Sequence, residues 1–513
     1  MYNKVGMHID SAPQEYGELF MEPCISHSGA GFPERLKRSV LPMKNLKRTL
    51  AMLLALSLSA AATACGGNSS SESEGRTKSQ DDVSIDTADS AINAGDPDIK
   101  GQTIYYLGIY DLNPTANQDR TVALTLFEDV YGAKIETIKT TSETLFTDLA
   151  NRINGGDPVD MFDYQWDSVP NGVEKGQYEY LDSYIDLSDP IWDGMKDLIE
   201  KYKYKGHYYV VPYSVSDYIA ITYSRTLIEE EGLTDPYKLY QEGKWDWDAF
   251  MSSMKTFVAN AEDGETRYGC AGWFGQAIVQ STGESIINYD GKKFTSNVMN
   301  EKIEKAELLE EELTRLSLFD PTWYGTYPND GSILYYGMAP WHLGQSNVMN
   351  PDGDLFLVPF PKMPGSDKYY LCGNAAAKML VKNSDKGDAV AAYIKCERLA
   401  ATQAEYKQAA KEKALIETKT AAGKVTSYLT EEQYDFMQTW YTSENIVPMF
   451  DFGYGMGTRM SNETYAYETR GVMNNFMDGL LQKYEGTPGT WAEMRSAWQG
   501  VVDEVVDEFN AKQ

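Results

Sequence analysis

The chemistry open to this chain lies mainly in its aromatic and acidic side chains. Tyrosine occurs 36 times, and aromatic residues make up 12% of the 513 residues. A tyrosine offers a flat apolar face and a hydroxyl, a combination suited to half-polar ligands such as sugars. Any one tyrosine is more simply a core or boundary residue, so only placement assigns it a role. Signatures of catalysis are missing: there is no P-loop, no His-Glu-x-x-His and no zinc-type Cys/His cluster. Beyond Cys65 the histidines are His207 and His342 alone. No catalytic residue, cofactor or metal ligand is therefore expected. Two carboxylates suffice for a glycosidase, so an exported glycan-active hydrolase remains the main alternative in so acidic a chain.

Cys65 carries a different chemistry. Met43-Lys-Asn-Leu-Lys-Arg48 is a basic stretch followed by a short apolar run from Thr49 to Ala62, the pattern of an export signal over residues 43–64. The run is shorter than the ~20 residues a membrane-spanning helix needs. It ends in Ala62-Thr-Ala-Cys65-Gly, which resembles a bacterial lipobox, with Ala62 where Leu is usual. Cys65 is then the lipid attachment point and the membrane anchor. Residues 1–42 precede a signal that belongs near a true N-terminus and are expected to be an upstream mis-start. Residues 65–100 are small, polar and charged without a periodic apolar face, the composition of a disordered tether. Cys270, Cys372 and Cys396 remain in the folded part, an odd number that argues against a disulfide framework.

The bulk properties bound the rest. A chain of 513 residues holds two sizeable cores more readily than one. With 46 Lys plus Arg against 76 Asp plus Glu, the net charge of −30 repels phosphate backbones and excludes nucleic acid as a partner. The same acidity keeps a soluble protein dispersed.

The elements that must position any site start at Gly101. Thr103–Leu107 reads as a strand, and Ala123, Leu126, Phe127 and Val130 recur at helical spacing before Gly132. Ile135–Ile138 is a second strand. Ser142 is expected to cap a helix bearing Leu145, Phe146, Leu149 and Ile153, which stops at Asn154-Gly155-Gly156. Val159–Phe162 follows as a third strand. This alternation is α/β and implies a parallel sheet with crossover helices, whose ligands sit at the carboxyl ends of the strands, near Ile109 and Asp163. At the far end, Thr490 and Glu493 form a capping box for a helix with Trp491, Met494, Trp498, Val501, Val502, Val505 and Phe509 along one side.

Phe127-Glu-Asp-Val-Tyr-Gly-Ala-Lys-Ile135 and Gly155-Gly-Asp-Pro-Val-Asp160 resemble the opening of family 1 extracellular solute-binding proteins. The similarity continues through Gly206-His-Tyr-Tyr-Val-Val-Pro212, Ile221-Thr-Tyr-Ser-Arg-Thr-Leu227 and Lys244-Trp-Asp-Trp-Asp-Ala-Phe250. It extends to Gly337-Met-Ala-Pro-Trp341 and Val358-Pro-Phe-Pro-Lys-Met-Pro-Gly365. Ser224 stands where the family commonly has Asn, and Asp246 where it has Thr; Asp246 can still cap the helix that buries Phe250, Met254 and Phe257.

The resemblance implies a type II periplasmic-binding-protein-like fold, two α/β lobes joined by a hinge that the chain crosses several times. Crossings are expected near Asp217, Ala376 and Val447, giving lobe one residues 101–216 and 377–446, and lobe two residues 217–376 and 447–513. It further implies a monomer outside the cytoplasm, lipid-anchored to the cell membrane. Such a protein closes on a carbohydrate, expected to be an oligosaccharide, and delivers it to ABC transporter permease subunits. By alignment, the ligand contacts are Tyr110, Asp111, Tyr164, Trp166 and Asp167 in lobe one, and Trp273, Gln276 and Trp341 in lobe two. A phosphorylated polyol or a peptide is the alternative ligand class. A phosphate calls for Arg or a helix N-terminus, and no Arg lies in these loops.

Overall fold

The strand expected at the start of the fold runs Thr103–Gly108 (β1), with Ile104, Tyr106, Leu107 and Gly108 buried. In the computed structural model the described residues are 83–85, 96–113, 120–420, 422–464, 466–482 and 484–513. Cys65, the signal segment, the upstream stretch and most of the tether lie outside them. The chain next lays down β2 (Lys134–Lys139), β3 (Met161–Asp163) and β4 (Tyr178–Glu179), then β5 (Ser214–Ser216). A second set follows: β6 (Ala220–Ser224), β7 (Tyr268–Gly272), a hairpin of β8 (Ile287–Tyr289) and β9 (Phe294–Ser296), β10 (Phe319–Asp320), β11 (Ile333–Met338) and β12 (Leu355–Pro359). The chain returns through β13 (Tyr369–Cys372) and β14 (Asn374–Ala376) to β15 (Lys378–Val381). It ends its strands with the hairpin β16 (Thr418–Lys419) and β17 (Val425–Ser427), then β18 (Ile446–Met449).

Two five-stranded sheets result. The first has the order β2-β1-β3-β15-β4 and the second β10-β7-β11-β6-β12. In the first, β1, β2 and β3 run parallel while β15 is antiparallel to β3. In the second, β7, β10 and β11 run parallel while β6 is antiparallel to β11 and β12. Parallel neighbours have their carboxyl ends on one edge, so each sheet gathers three strand ends in one place.

Between the sheets run two short ladders, β5 with β14 antiparallel and β13 with β18 parallel. The antiparallel ladder flanks Asp217 and ends at Ala376. Asp217 takes a left-handed φ of 52°. Gly373 lies where the crossing strands press together: a Cβ there would come within 2.9 Å of the Tyr218 ring, which is why a side chain has no room.

Two local signals read differently in three dimensions. The helix after β2 is Leu145–Gly155, and no side chain caps it. Instead of Ser142, the Thr140 and Thr144 hydroxyls donate to Asp148 Oδ2 at 2.5 and 2.9 Å. At the last helix, Trp491–Ala511, the Thr490 hydroxyl accepts from the Glu493 N–H at 3.3 Å, but the Glu493 carboxylate takes the hydroxyl itself at 3.0 Å, so half of the box forms. Asp246 caps Trp247–Ala259 as expected, accepting from the Ala249 N–H at 3.0 Å.

The segment from Thr418 to Asn445, expected with the first sheet, packs against the second. Gln433 Nε2 donates to the Leu355 carbonyl at 2.7 Å and to Asn347 Oδ1 at 3.1 Å. Phe436 stacks on Phe356 with centroids 5.3 Å apart, and Arg225 pairs with Glu432 at 2.8 Å. The Phe436 side of the helix Glu431–Trp440 buries its apolar area on the β12 edge. Cys270, Cys372 and Cys396 are buried free thiols.

Candidate functional site

The second sheet presents three indoles at its carboxyl edge. β7 ends at Gly272 and delivers Trp273, β10 ends at Asp320 and delivers Trp323, and the turn after β11 delivers Trp341. Trp273 and Trp323 stack with centroids 5.5 Å apart at 29°, and Trp341 meets Trp273 edge-on at 6.5 Å. The Trp273 backbone N–H donates to the Gly337 carbonyl at 2.7 Å, which ties the β7 exit to β11. All three rings are partly exposed. Trp273 and Trp341 were named from the sequence; Trp323 was not. Its signal was available, since Phe319-Asp-Pro-Thr-Trp323 has the same strand-end position, but two residues of strand are too short to read without a partner strand.

Behind Trp341 sits His342, wholly buried, with Nδ1 donating to the Ala339 carbonyl at 2.7 Å. Burial pulls its pKa down to about 4. A base kept neutral in the fold contributes stability in full above its unfolded pKa, ~6.5, because the unfolded state binds the extra proton below that value. That contribution is lost as pH falls through about 4. Between neutral and acid pH, His342→Gln is therefore expected to lose less melting temperature than the parent. Parallel melting curves across that range check this, and superimposable pH profiles would refute it.

The first sheet gathers its candidates less tightly. Tyr110 and Asp111 follow β1, both partly exposed, and Asp111 Oδ1 accepts from the Asn113 N–H at 3.0 Å. Trp166, half-buried, donates from Nε1 to Asn374 Oδ1 at 3.2 Å, and its ring lies 5.2 Å from Tyr454. Because Asn374 belongs to β14, this contact sets an indole beside the crossing strands. Asp167 has its pKa raised to about 7, chiefly by burial, with the Glu463 carboxylate adding to the rise.

Two candidates have a different setting. Tyr164 is buried, edge-on to Tyr202 at 5.2 Å, and Tyr202 in turn meets Phe450 and Phe452. It packs the junction rather than joining the exposed rings. Gln276 is buried on the helix Gly275–Ser281 that starts just after Trp273. Tyr454 and Asn374, which hold Trp166, went unread because each lies more than 200 residues further along the chain.

The matched family is described as bacterial extracellular solute-binding protein, over residues 114–396. No curated protein sequence matches the chain. Among solved structures it is similar to the galacto-N-biose-/lacto-N-biose I-binding protein of the ABC transporter from Bifidobacterium longum, in complex with lacto-N-biose. That likeness has 12% identity and a TM-score of 0.54, covering 79% of this chain and 97% of that one. A second is the ABC transporter associated binding protein from B. animalis subsp. lactis in complex with beta-1,6-galactobiose, at 18% identity and TM-score 0.52, covering 80% and 98%. A third is an ABC substrate-binding protein from Listeria monocytogenes in complex with cycloalternan, at 17% identity and TM-score 0.51, covering 80% and 98%. Such identities speak for the fold, which is the periplasmic-binding-protein-like architecture of two sheets and crossing strands. With more than half of its length matched, the chain belongs to the bacterial extracellular solute-binding protein family.

Proposed function

We propose that this chain captures a neutral carbohydrate of oligosaccharide size between two lobes and hands it to the permease subunits of an ABC importer. The family is extracellular, so the chain works outside the cytoplasm. Among the described residues no helix is long and apolar enough to cross a membrane. The observation that carries the reading is the group of Trp273, Trp323 and Trp341 at one sheet edge. Indole faces cover the C–H face of a pyranose. Tyr110, Asp111, Trp166 and Asp167 would supply the opposing wall, since a carboxylate accepts two hydroxyls at once. Tyr164 and Gln276 would support the walls from within. The sugars held by the similar structures favour the same ligand class.

The ladders β5–β14 and β13–β18 would act as the hinge, and closing on ligand would mark the loaded state for the importer. The protein would work as a monomer and without turnover. A thermal-shift panel of oligosaccharides, polyols, phosphate esters and peptides tests the class. A ligand at about a hundred times its dissociation constant adds about 2.7 kcal/mol of stability. Stabilisation by a phosphate ester or peptide alone, or release of reducing ends from a polysaccharide, would overturn the reading.

Cys65 would carry the lipid, with the stretch to residue 100 as its tether. Cys65→Ala expressed from Met43 is expected to move from the membrane to the soluble fraction. Unchanged membrane retention on fractionation would remove the anchor from the proposal.

A further inference from the structure

The carboxyl edge of the first sheet holds a charged group outside the aromatic walls, at the strand end near Asp163 that the sequence marks only by position. Asp163 is the last residue of β3, and Lys378, the first of β15, is its direct antiparallel partner, so both side chains leave the sheet on the same face. The Lys378 ammonium donates to Asp163 Oδ1, and the Tyr106 hydroxyl donates to Asp163 Oδ2. The ammonium also lies 5.2 Å from the Tyr106 ring centroid.

Tyr106 reaches Asp163 because of the residue two places on. β1 neighbours β3 in parallel register, with Tyr106 opposite Met161. Residues 106 and 108 share a face, since side chains alternate along a strand. Position 108 is glycine, and a Cβ there would stand 2.2 Å from the Tyr106 ring. The ring therefore leans forward over Gly108 to the sheet edge. The Tyr110 and Tyr213 hydroxyls lie close enough to Tyr106 to act on it electrostatically, and burial with the Asp163 charge holds the Tyr106 phenol neutral.

The exposures differ within the group. The Lys378 side chain is 7% exposed, whereas Asp163 is 22% exposed. An ionised carboxylate has about four acceptor sites, and the two donors use one on each oxygen. Sites remain on the side that solvent reaches. A buried ion pair of this kind returns little net stability over an apolar pair of the same shape, so what it supplies is a fixed orientation.

We propose that Asp163 is a ligand-contacting carboxylate, accepting hydroxyls of a neutral sugar, and that Lys378 and Tyr106 are positioning residues that aim it. This rests on the carbohydrate reading above. An anionic ligand is disfavoured here, because the lysine charge is already answered by Asp163.

The test is titration calorimetry on the full mature chain with maltotriose, raffinose and β-1,6-galactobiose, using whichever binds the parent protein. Asp163→Asn should weaken binding about tenfold or more, as loss of a charged acceptor does. Tyr106→Phe, which keeps the ring and removes only the donor, should weaken it by about threefold to tenfold. The double variant Asp163→Asn/Tyr106→Phe should bind like Asp163→Asn alone, since Tyr106 acts through Asp163. Purely structural roles would instead give additive losses tracking the melting temperature of the ligand-free protein. If Asp163→Asn does not fold, an unchanged affinity for Tyr106→Phe overturns the positioning claim and a weakened one supports it. Parent binding with an unaffected Asp163→Asn overturns this inference alone. A parent protein that binds none of the three sugars overturns the carbohydrate reading and the inference with it.

Discussion

Trp341→Ala is expected to weaken sugar binding about thirtyfold, roughly 2 kcal/mol, as truncation of an aromatic hot spot does. Pro340 precedes the ring and limits the backbone there, and Trp273 meets its edge at 6.5 Å. An indole held in this way loses little freedom when ligand arrives, so the stacking contact is retained as affinity. Trp341→Phe keeps a flat face and should lose much less. The competing outcome is distinct: a ring that only packs would cost stability on truncation and leave affinity alone. Calorimetry for binding and scanning calorimetry for the empty protein separate the two on the same samples. Unchanged affinity in a well-folded Trp341→Ala protein removes the residue from the site.

Trp245→Ala should instead unsettle the scaffold beneath that site. Trp245 is fully buried, edge-on to Phe250 at 5.9 Å and to Tyr335 at 5.6 Å, and its Nε1 donates to the Pro359 carbonyl at 2.8 Å. Deleting a buried ring of this size costs about 3–5 kcal/mol through lost transfer energy and the cavity left behind. By the scaling for folds of about 150–250 residues that is a fall of about 10 °C in melting temperature. Trp245→Phe should recover most of it, losing the hydrogen bond and part of the volume. Denaturant titration checks the free-energy change directly, and a loss under about 1 kcal/mol would mean that the core closes over the gap.

How much of this was legible in the chain depends on range. The strand at Thr103, the strand near Ile135 and the Asp246 cap are each written within a few residues, because strand alternation, helix periodicity and capping are local rules. Trp273 and Trp341 were legible through neighbouring motifs. Two local signals failed: no side chain caps the helix that Ser142 was expected to start, and the Glu493 carboxylate meets a hydroxyl rather than the backbone.

By itself, the sequence determined the α/β class and the family likeness. Composition and short-range periodicity suffice for these. Only the tertiary structure decided which strand ends share an edge: that Trp323 joins Trp273 and Trp341, that Trp166 is held by Asn374 and Tyr454, that Tyr164 turns inward, and that Lys378 faces Asp163 across 215 residues. It also decided that residues 418–445 side with the second sheet. The physical reason is register. Which side chains meet across a ladder is set by pairing between distant strands, and a one-residue shift would turn Asp163 or Lys378 to the other face without altering any local pattern.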